Sequence, residues 1–183
     1  MSHERACTYC VVDGVRARRI TRRSDRTASR GQIGRLDDAG SLLCTGNYFR
    51  SRFAQEWFNA QAKRRGLGQR LQASSAGLNV HGGSGNVGAM APEAIDALAQ
   101  RGVAVEIDDL ASPQQVTEAL LQTADRVVAV DEEAHRPMVQ ALFPAWEEKI
   151  CFWSIKDLGE GDPELDPISA LEQKLNSLLE ELS

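Results

Sequence analysis

Cys44-Thr45-Gly46-Asn47-Tyr48-Phe49-Arg50-Ser51 sets a cysteine and an arginine on either side of five residues, where apolar Leu42-Leu43 gives way to helical sequence. A loop of that length, folded between a strand end and a helix start, can turn its backbone N–H groups inward onto one anion. The same amides and the helix dipole favour Cys44 as a thiolate. Arg50 adds a planar fork of donors that holds two phosphoryl oxygens at once, a geometry lysine does not reproduce. Ser51 can donate its hydroxyl to the sulfur, and Gly46 and Asn47 tolerate the left-handed backbone angles that such a loop needs. Without this sequel, Cys44 would read as a small apolar residue buried at a strand end.

Positioning such a loop requires a strand before it and a helix after it, and the chain alternates the two throughout. Leu42-Leu43 is a short apolar strand, and Phe53, Trp57 and Ala60 recur at helical spacing over 50–65. A strand near 71–76 precedes a helix opened by Pro92 and closed by Gly102. Val103–Ile107 is β-branched enough to predict a strand, Ser112-Pro113 reads as an N-cap with the first helical residue, and Arg126–Val130 has the apolar run of a buried strand. A short helix over 132–142, a strand at 149–153 and an amphipathic helix from about Pro167 to Leu182 follow. The prediction is an α/β domain: a doubly wound, mainly parallel sheet of four to five strands with helices on both faces. Ligands of such sheets bind beyond the carboxyl ends of the strands, which is where loop 44–51 falls.

The loop resembles the signature of the low-molecular-weight protein tyrosine phosphatases, Cys, any residue, Gly-Asn, two residues, Arg-Ser. Further segments are similar in the same order: Ser75-Ala76-Gly77, APEAIDALAQRGVAV (91–105), DRVVAVDEEAH (125–135) and Trp153-Ser154-Ile155-Lys156-Asp157. The likeness runs from about Leu42 to the C-terminus, giving a phosphatase-like domain over 41–183 and an extension over 1–40.

The resemblance implies a protein tyrosine phosphatase-type hydrolase needing no metal or cofactor, with Cys44 as nucleophile and a phosphocysteine intermediate hydrolysed by water. Arg50 and the loop residues Thr45, Gly46, Asn47, Tyr48, Phe49 and Ser51 would hold the phosphoryl group, with Ser75 in support. Asp157 is the expected general acid, since a loop after the last strand can reach across to the phosphate loop. Leu158-Gly159 stand where the family has a proline, and Asp162-Pro163 supplies an Asp-Pro five residues on, so Asp162 is the reserve candidate. Asp131 ends an apolar strand, where it can cap the next helix or orient groups near the site. A related branch of the fold reduces arsenate through two further cysteines, but residues 78–150 hold none, which argues against that relay. Phe49 stands where some relatives keep a guarding second cysteine, so Cys44 is expected to be inactivated directly by oxidants. Tyr48 is bulkier than the usual residue there, and with 157–166 it is expected to shape the mouth of the pocket. Phosphotyrosine in proteins is the expected substrate, with a small aryl phosphate, a phosphoarginine or a sugar-linked phosphate as other fits.

Two further readings come from other classes. A phosphate-binding module without turnover would follow if the short first strand or the altered 157–166 segment disabled catalysis. A nucleotide-binding module is suggested by Gly83-Ser84-Gly85-Asn86-Val87-Gly88 with Asp108 about twenty residues on, but Leu78–Gly82 intervenes after the strand and Pro92 opens the helix.

Composition sets the frame: 183 residues suit one domain, and no apolar run approaches the ~18 needed to span a bilayer. Cysteines at 7, 10, 44 and 151 lack the spacing of a secreted disulfide scaffold and no signal peptide is read, so a reducing cytoplasm is expected. The net charge of −5 gives no general attraction for anionic partners; no nucleic-acid or membrane partner is predicted. Residues 1–40 are the exception. Arg16, Arg18, Arg19, Arg22, Arg23, Arg26, Arg30 and Arg35 make this stretch basic with little to bury, which reads as a disordered extension or an arm for an anionic surface. Another explanation is a translation start further in. Cys7 and Cys10 would be half a zinc site at most, with only His3, His81 and His135 to complete it. His135 is expected to be a helix-surface or structural histidine, and Trp57, Trp146 and Trp153 to pack.

Overall fold

The structure is a computed structural model in which residues 38–82, 85–160, 162 and 166–183 are described. The basic N-terminal stretch, the Cys7-Cys10 pair, Gly83-Ser84 and Pro163 lie outside those residues. Four parallel strands, β1 (Asp38–Cys44), β2 (Leu71–Gly77), β3 (Arg126–Ala129) and β4 (Cys151–Phe152), form one sheet in the order β2-β1-β3-β4. Five helices accompany them: α1 (Arg50–Arg64), α2 (Pro92–Gln100), α3 (Glu118–Thr123), α4 (Glu132–Leu142) and α5 (Pro167–Leu182).

Alternation along the strands builds two cores, because successive side chains point to opposite faces. Leu42, Cys44, Val128 and Val130 face one way, onto Phe53 and Trp57 of α1, Ala94 and Leu98 of α2, and Leu171, Leu175 and Leu179 of α5. Leu43, Val127 and Ala129 face the other way, onto Leu121 of α3 and Val139 of α4. Each fully buried leucine contributes about 1.5–3 kcal/mol of transfer free energy, so these stripes, more than local propensity, fix where the helices lie. Among the described residues no helix is long and apolar enough to cross a membrane.

Three expectations about elements are corrected. The first strand is not short: it begins at Asp38, whose partner is Leu71, and the Asp-Ala-Gly-Ser lead-in is held by seven residues of register with β2. Central position in a sheet supplies what apolar patterning does not. Val103–Ile107 is not a strand; 103–106 is irregular and Ile107–Asp109 is a 3-10 turn, with Val103 packed in the core and Ile107 exposed. Ser112-Pro113 does not open a helix either. Thr117 caps α3 by accepting from the N–H of Leu120, and 110–116 instead runs past the end of β2.

β1 therefore stops in the middle of the sheet at Cys44, and the chain emerges at the carboxyl edge between β2 and β3. Only there can one loop be flanked by segments following both neighbouring strands.

Candidate active site

Residues 45–49 form the loop between β1 and α1. No side chain caps α1, so the N–H groups of its first turn remain for an anion. Asn47 is the one described non-glycine residue with positive φ, at 49°, which places its side chain beneath the loop, fully buried. Its amide is oriented by its partners: Oδ1 accepts from the backbone N–H of Gln114 at 2.8 Å, and Nδ2 donates to Ser75 Oγ at 2.8 Å and Ser51 Oγ at 3.1 Å. Ser75 in turn donates its hydroxyl to Gln55 Oε1 at 2.7 Å. Ser51, having accepted from Asn47, is free to donate to Cys44 Sγ, 2.9 Å away. The network leaves the Ser51 hydrogen available to the sulfur, which is the acceptor when Cys44 is a thiolate, an arrangement that suits an anionic nucleophile.

Gly77 makes the close packing here workable. A Cβ at this position would lie 2.8 Å from the carbonyl oxygen of Thr45 and 2.9 Å from the amide nitrogen of Asn47. Leu78 and Asn79 then donate their N–H groups to the carbonyls of Cys44 and Thr45, tying the loop to the end of β2.

Arg50 is 3% exposed. Its Nη1 donates to the carbonyl of Ile155 at 2.8 Å and lies 3.5 Å from Asp131 Oδ2; its Nη2 meets Asp157 Oδ2 at 2.8 Å. Nε is buried without a partner among the described residues. A buried guanidinium N–H left unsatisfied costs on the order of 1–3 kcal/mol, and a phosphoryl oxygen is the acceptor that would relieve it. Asp157 lies at the edge of this cluster with its side chain 40% exposed. Asp162 is exposed and is not among the partners of Arg50. Asp131 both caps α4, accepting from Ala134, and holds Arg50 and Lys156 from below.

Of the residues singled out by sequence, Cys44, Asn47, Arg50, Ser51, Ser75 and Asp157 are brought together. Phe49 is not: its side chain packs in the core, so it can serve only through its backbone. Tyr48 packs partly against that core and its hydroxyl donates to the carbonyl of Val87 at 2.7 Å, tying the loop to the glycine-rich segment. Asn86 of that segment closes on Gly46.

Of the two places expected for His135, the structure gives the structural one and not the helix surface. It is fully buried, one turn after Asp131, and its ring reaches Thr45. Burial pulls it down to about 4, reinforced by the nearby Arg50 cation and opposed by Asp131 and Asp157. In the unfolded chain the ring takes its proton near 6.5. Between these values only the unfolded state binds the proton, so stability falls as the pH drops from about 6.5 towards 4, by up to about 1.4 kcal/mol per unit and roughly 3 kcal/mol in all. His135→Gln should flatten that part of the curve, read as the difference in urea midpoint between the two proteins from pH 7.5 to 4.5.

Sequence reasoning missed Gln55, Gln114, the carbonyl of Ile155, and Arg52. Gln55 had a signal, four residues after Ser51 on one helix face. Gln114 and Ile155 had none, since their roles come from the sheet order. Arg52 is buried and binds the carbonyl of Ala111 at 2.6 Å, clamping the segment that carries Gln114; burial lowers it from the usual arginine value, against the pull of Glu56 and Cys44.

Residues 41–182 match the model of the low molecular weight phosphotyrosine protein phosphatases. The chain belongs to this family. A protein-arginine-phosphatase of Bacillus subtilis is 27% identical over 126 residues, covering 69% of this chain and 77% of that one. A low molecular weight protein tyrosine phosphatase from Bacillus subtilis, solved in solution, superposes with a TM-score of 0.62 at 26% identity, over 79% of this phosphatase and 96% of that chain. YfkJ from the same organism shares the fold, with a TM-score of 0.66 at 21% identity over 83% and 97% of the two chains. This phosphatase therefore keeps the family's parallel sheet and carries the Cys-to-Arg loop at its carboxyl edge.

Proposed function

We propose that the protein is a metal-independent, cysteine-dependent phosphomonoesterase of a reducing cytoplasm, acting on phosphotyrosine in proteins. The observation that carries this reading is the meeting of Ser51, Arg50 and Asp157 around one loop headed by Cys44. In the first step the Cys44 sulfur attacks phosphorus, the S–P bond forms, the P–O bond to the tyrosyl oxygen breaks, and protonated Asp157 gives its proton to that oxygen. In the second, water attacks phosphorus, Asp157 takes a proton from it, and the S–P bond breaks to release phosphate and the thiolate. Arg50 and the loop amides hold the equatorial oxygens throughout.

An aryl substrate is favoured by the surroundings of the loop. The ring of Tyr48 is fixed through Val87, which is 83% exposed, and Leu158 beside Asp157 is 50% exposed. These apolar groups suit an aromatic leaving group. The arginine phosphatase among the relatives makes a phosphoarginine protein the second substrate to assay.

The test is steady-state hydrolysis of aryl phosphates in EDTA by wild type, Asp157→Asn and Asp162→Asn. Asp157→Asn should lower kcat about a hundredfold or more for phenyl phosphate and much less for p-nitrophenyl phosphate, whose leaving group needs little protonation. Asp162→Asn should track wild type. The reverse ranking would transfer the acid to Asp162, and metal-dependent turnover would overturn the reading.

A further inference from the structure

Thr45 follows the nucleophile directly, is half-buried, and has a hydroxyl that can either donate to or accept from whatever the loop binds. Its neighbour decides between these roles. The backbone N–H of Asp131 can only donate, and it points at His135 Nδ1 from 3.1 Å. Nδ1 is therefore the acceptor of the ring, and a neutral ring then carries its hydrogen on Nε2. Nε2 lies 3.3 Å from Thr45 Oγ1. Thr45 accepts there, so its own hydrogen must point elsewhere, and no other described group takes it. The charged groups around the ring are Arg50 from α1, Asp131 from the end of β3, and Lys156 and Asp157 from the segment after β4. Burial and the Arg50 cation keep the ring neutral among them.

We propose that His135 is a positioning residue that fixes the Thr45 hydroxyl as a hydrogen-bond donor to the phosphoryl oxygens bound over Cys44. This rests on the phosphatase reading of the loop. Every peripheral atom of a phosphoryl group is an acceptor, so a freely rotating hydroxyl would spend part of its time with lone pairs facing the anion. A hydroxyl with Nε2–H on one of its two lone pairs turns its hydrogen away from the ring, which favours the orientation that donates to the anion. The chain from the Asp131 amide through the ring to Thr45 thus adds one oriented donor to those of the loop and Arg50.

The experiment uses the full chain with four single variants and the Thr45→Val/His135→Asn double variant. Asn at 135 places an oxygen near Nδ1 to take the Asp131 amide but nothing at Nε2; Gln at 135 places an amide N–H near Nε2. Thr45→Val removes the hydroxyl at nearly constant shape, and Thr45→Ser restores it. Thr45→Val and His135→Asn should each lower kcat/KM for p-nitrophenyl phosphate by about tenfold or more and weaken inhibition by vanadate in parallel. The double variant should lose no more than either alone, and Thr45→Ser and His135→Gln should recover part of the loss. Nitrogen-15 spectra of the wild-type ring should show the Nε2–H tautomer, with the Nε2 signal moving on addition of inorganic phosphate. The Nδ1–H tautomer, multiplicative losses in the double variant, or unchanged vanadate inhibition in Thr45→Val would overturn the proposal. The tautomer and the phosphate response are read without turnover, so a wild type lacking Cys44-dependent hydrolysis would sink the phosphatase reading and still leave this one decided.

Discussion

Cys44→Ser removes turnover of aryl phosphates, by at least about ten-thousandfold in kcat, while leaving inorganic phosphate bound. The two halves of this expectation rest on different parts of the site. Attack on phosphorus needs an ionised nucleophile, and a serine hydroxyl ionises far less readily than a thiol. The two side chains beside it are poor bases for that proton: Ser51 Oγ is a hydroxyl partnered by Asn47, and His135 is engaged with the Asp131 amide and Thr45. Phosphate recognition, by contrast, draws on the uncapped first turn of α1 and on Arg50, neither of which the substitution touches. The measurement pairs steady-state hydrolysis with calorimetric or phosphorus-31 titration of phosphate. Retained turnover would show that the sulfur is not the nucleophile; lost turnover together with lost binding would show that the loop had rearranged.

How far the sequence discloses this site depends on whether a residue's partners are near it in the chain. The loop is legible because Cys44, Gly46, Asn47, Arg50 and Ser51 must all lie within one turn of backbone, so their spacing carries the geometry. Ser75 and Asp157 are legible only through likeness to a family, since nothing local says that β2 ends beneath Asn47 or that the segment after β4 returns to Arg50. Asp131 is half legible. Its capping of α4 follows from sequence, and its hold on Arg50 follows from β3 lying next to β1. Sequence leaves His135 open between a helix surface and a structural place; the structure gives the structural one, because α4 packs this residue inward, where Thr45 of the phosphate loop and the Asp131 amide partner the buried ring. The false strand at 103–107 fails for a related reason. Val103 buries itself in the core while 103–106 pairs with none of the four strands, and β propensity without ladder partners makes irregular chain. Strand β1 errs in the opposite direction: Asp38 to Ser41 have little apolar patterning, yet pairing with β2 along the whole stretch, and with β3 from Gly40 on, makes them strand.

Arg50→Lys should cost about a thousandfold in kcat/KM, while Arg50→Ala should add a loss of stability that the lysine variant largely avoids. Three groups converge on the guanidinium: the Ile155 carbonyl, Asp131 and Asp157. A lysine ammonium can keep the charge between the two carboxylates but cannot meet the carbonyl, Asp157 and a phosphoryl oxygen at once, because its donors diverge from a single atom. The loss therefore falls on the oriented donors, and it should appear in kcat more than in phosphate affinity. Alanine withdraws the charge as well. Asp157 has water to turn to, but Asp131, with a side chain 1% exposed, would keep only the Ala134 amide and, as its cation, Lys156 at 3.3 Å among the described residues. Breaking a buried pair in this way costs about 3–5 kcal/mol, reduced here to the extent that Lys156 compensates. Urea melts with and without saturating phosphate separate the two effects. Wild type should gain stability with phosphate in proportion to RT ln(1 + [phosphate]/Kd), Arg50→Lys should gain less from the same starting midpoint, and Arg50→Ala should start lower and gain almost nothing. Equal midpoints for the two variants would mean that Asp131 does not depend on Arg50 and that the buried ion pair serves catalysis alone.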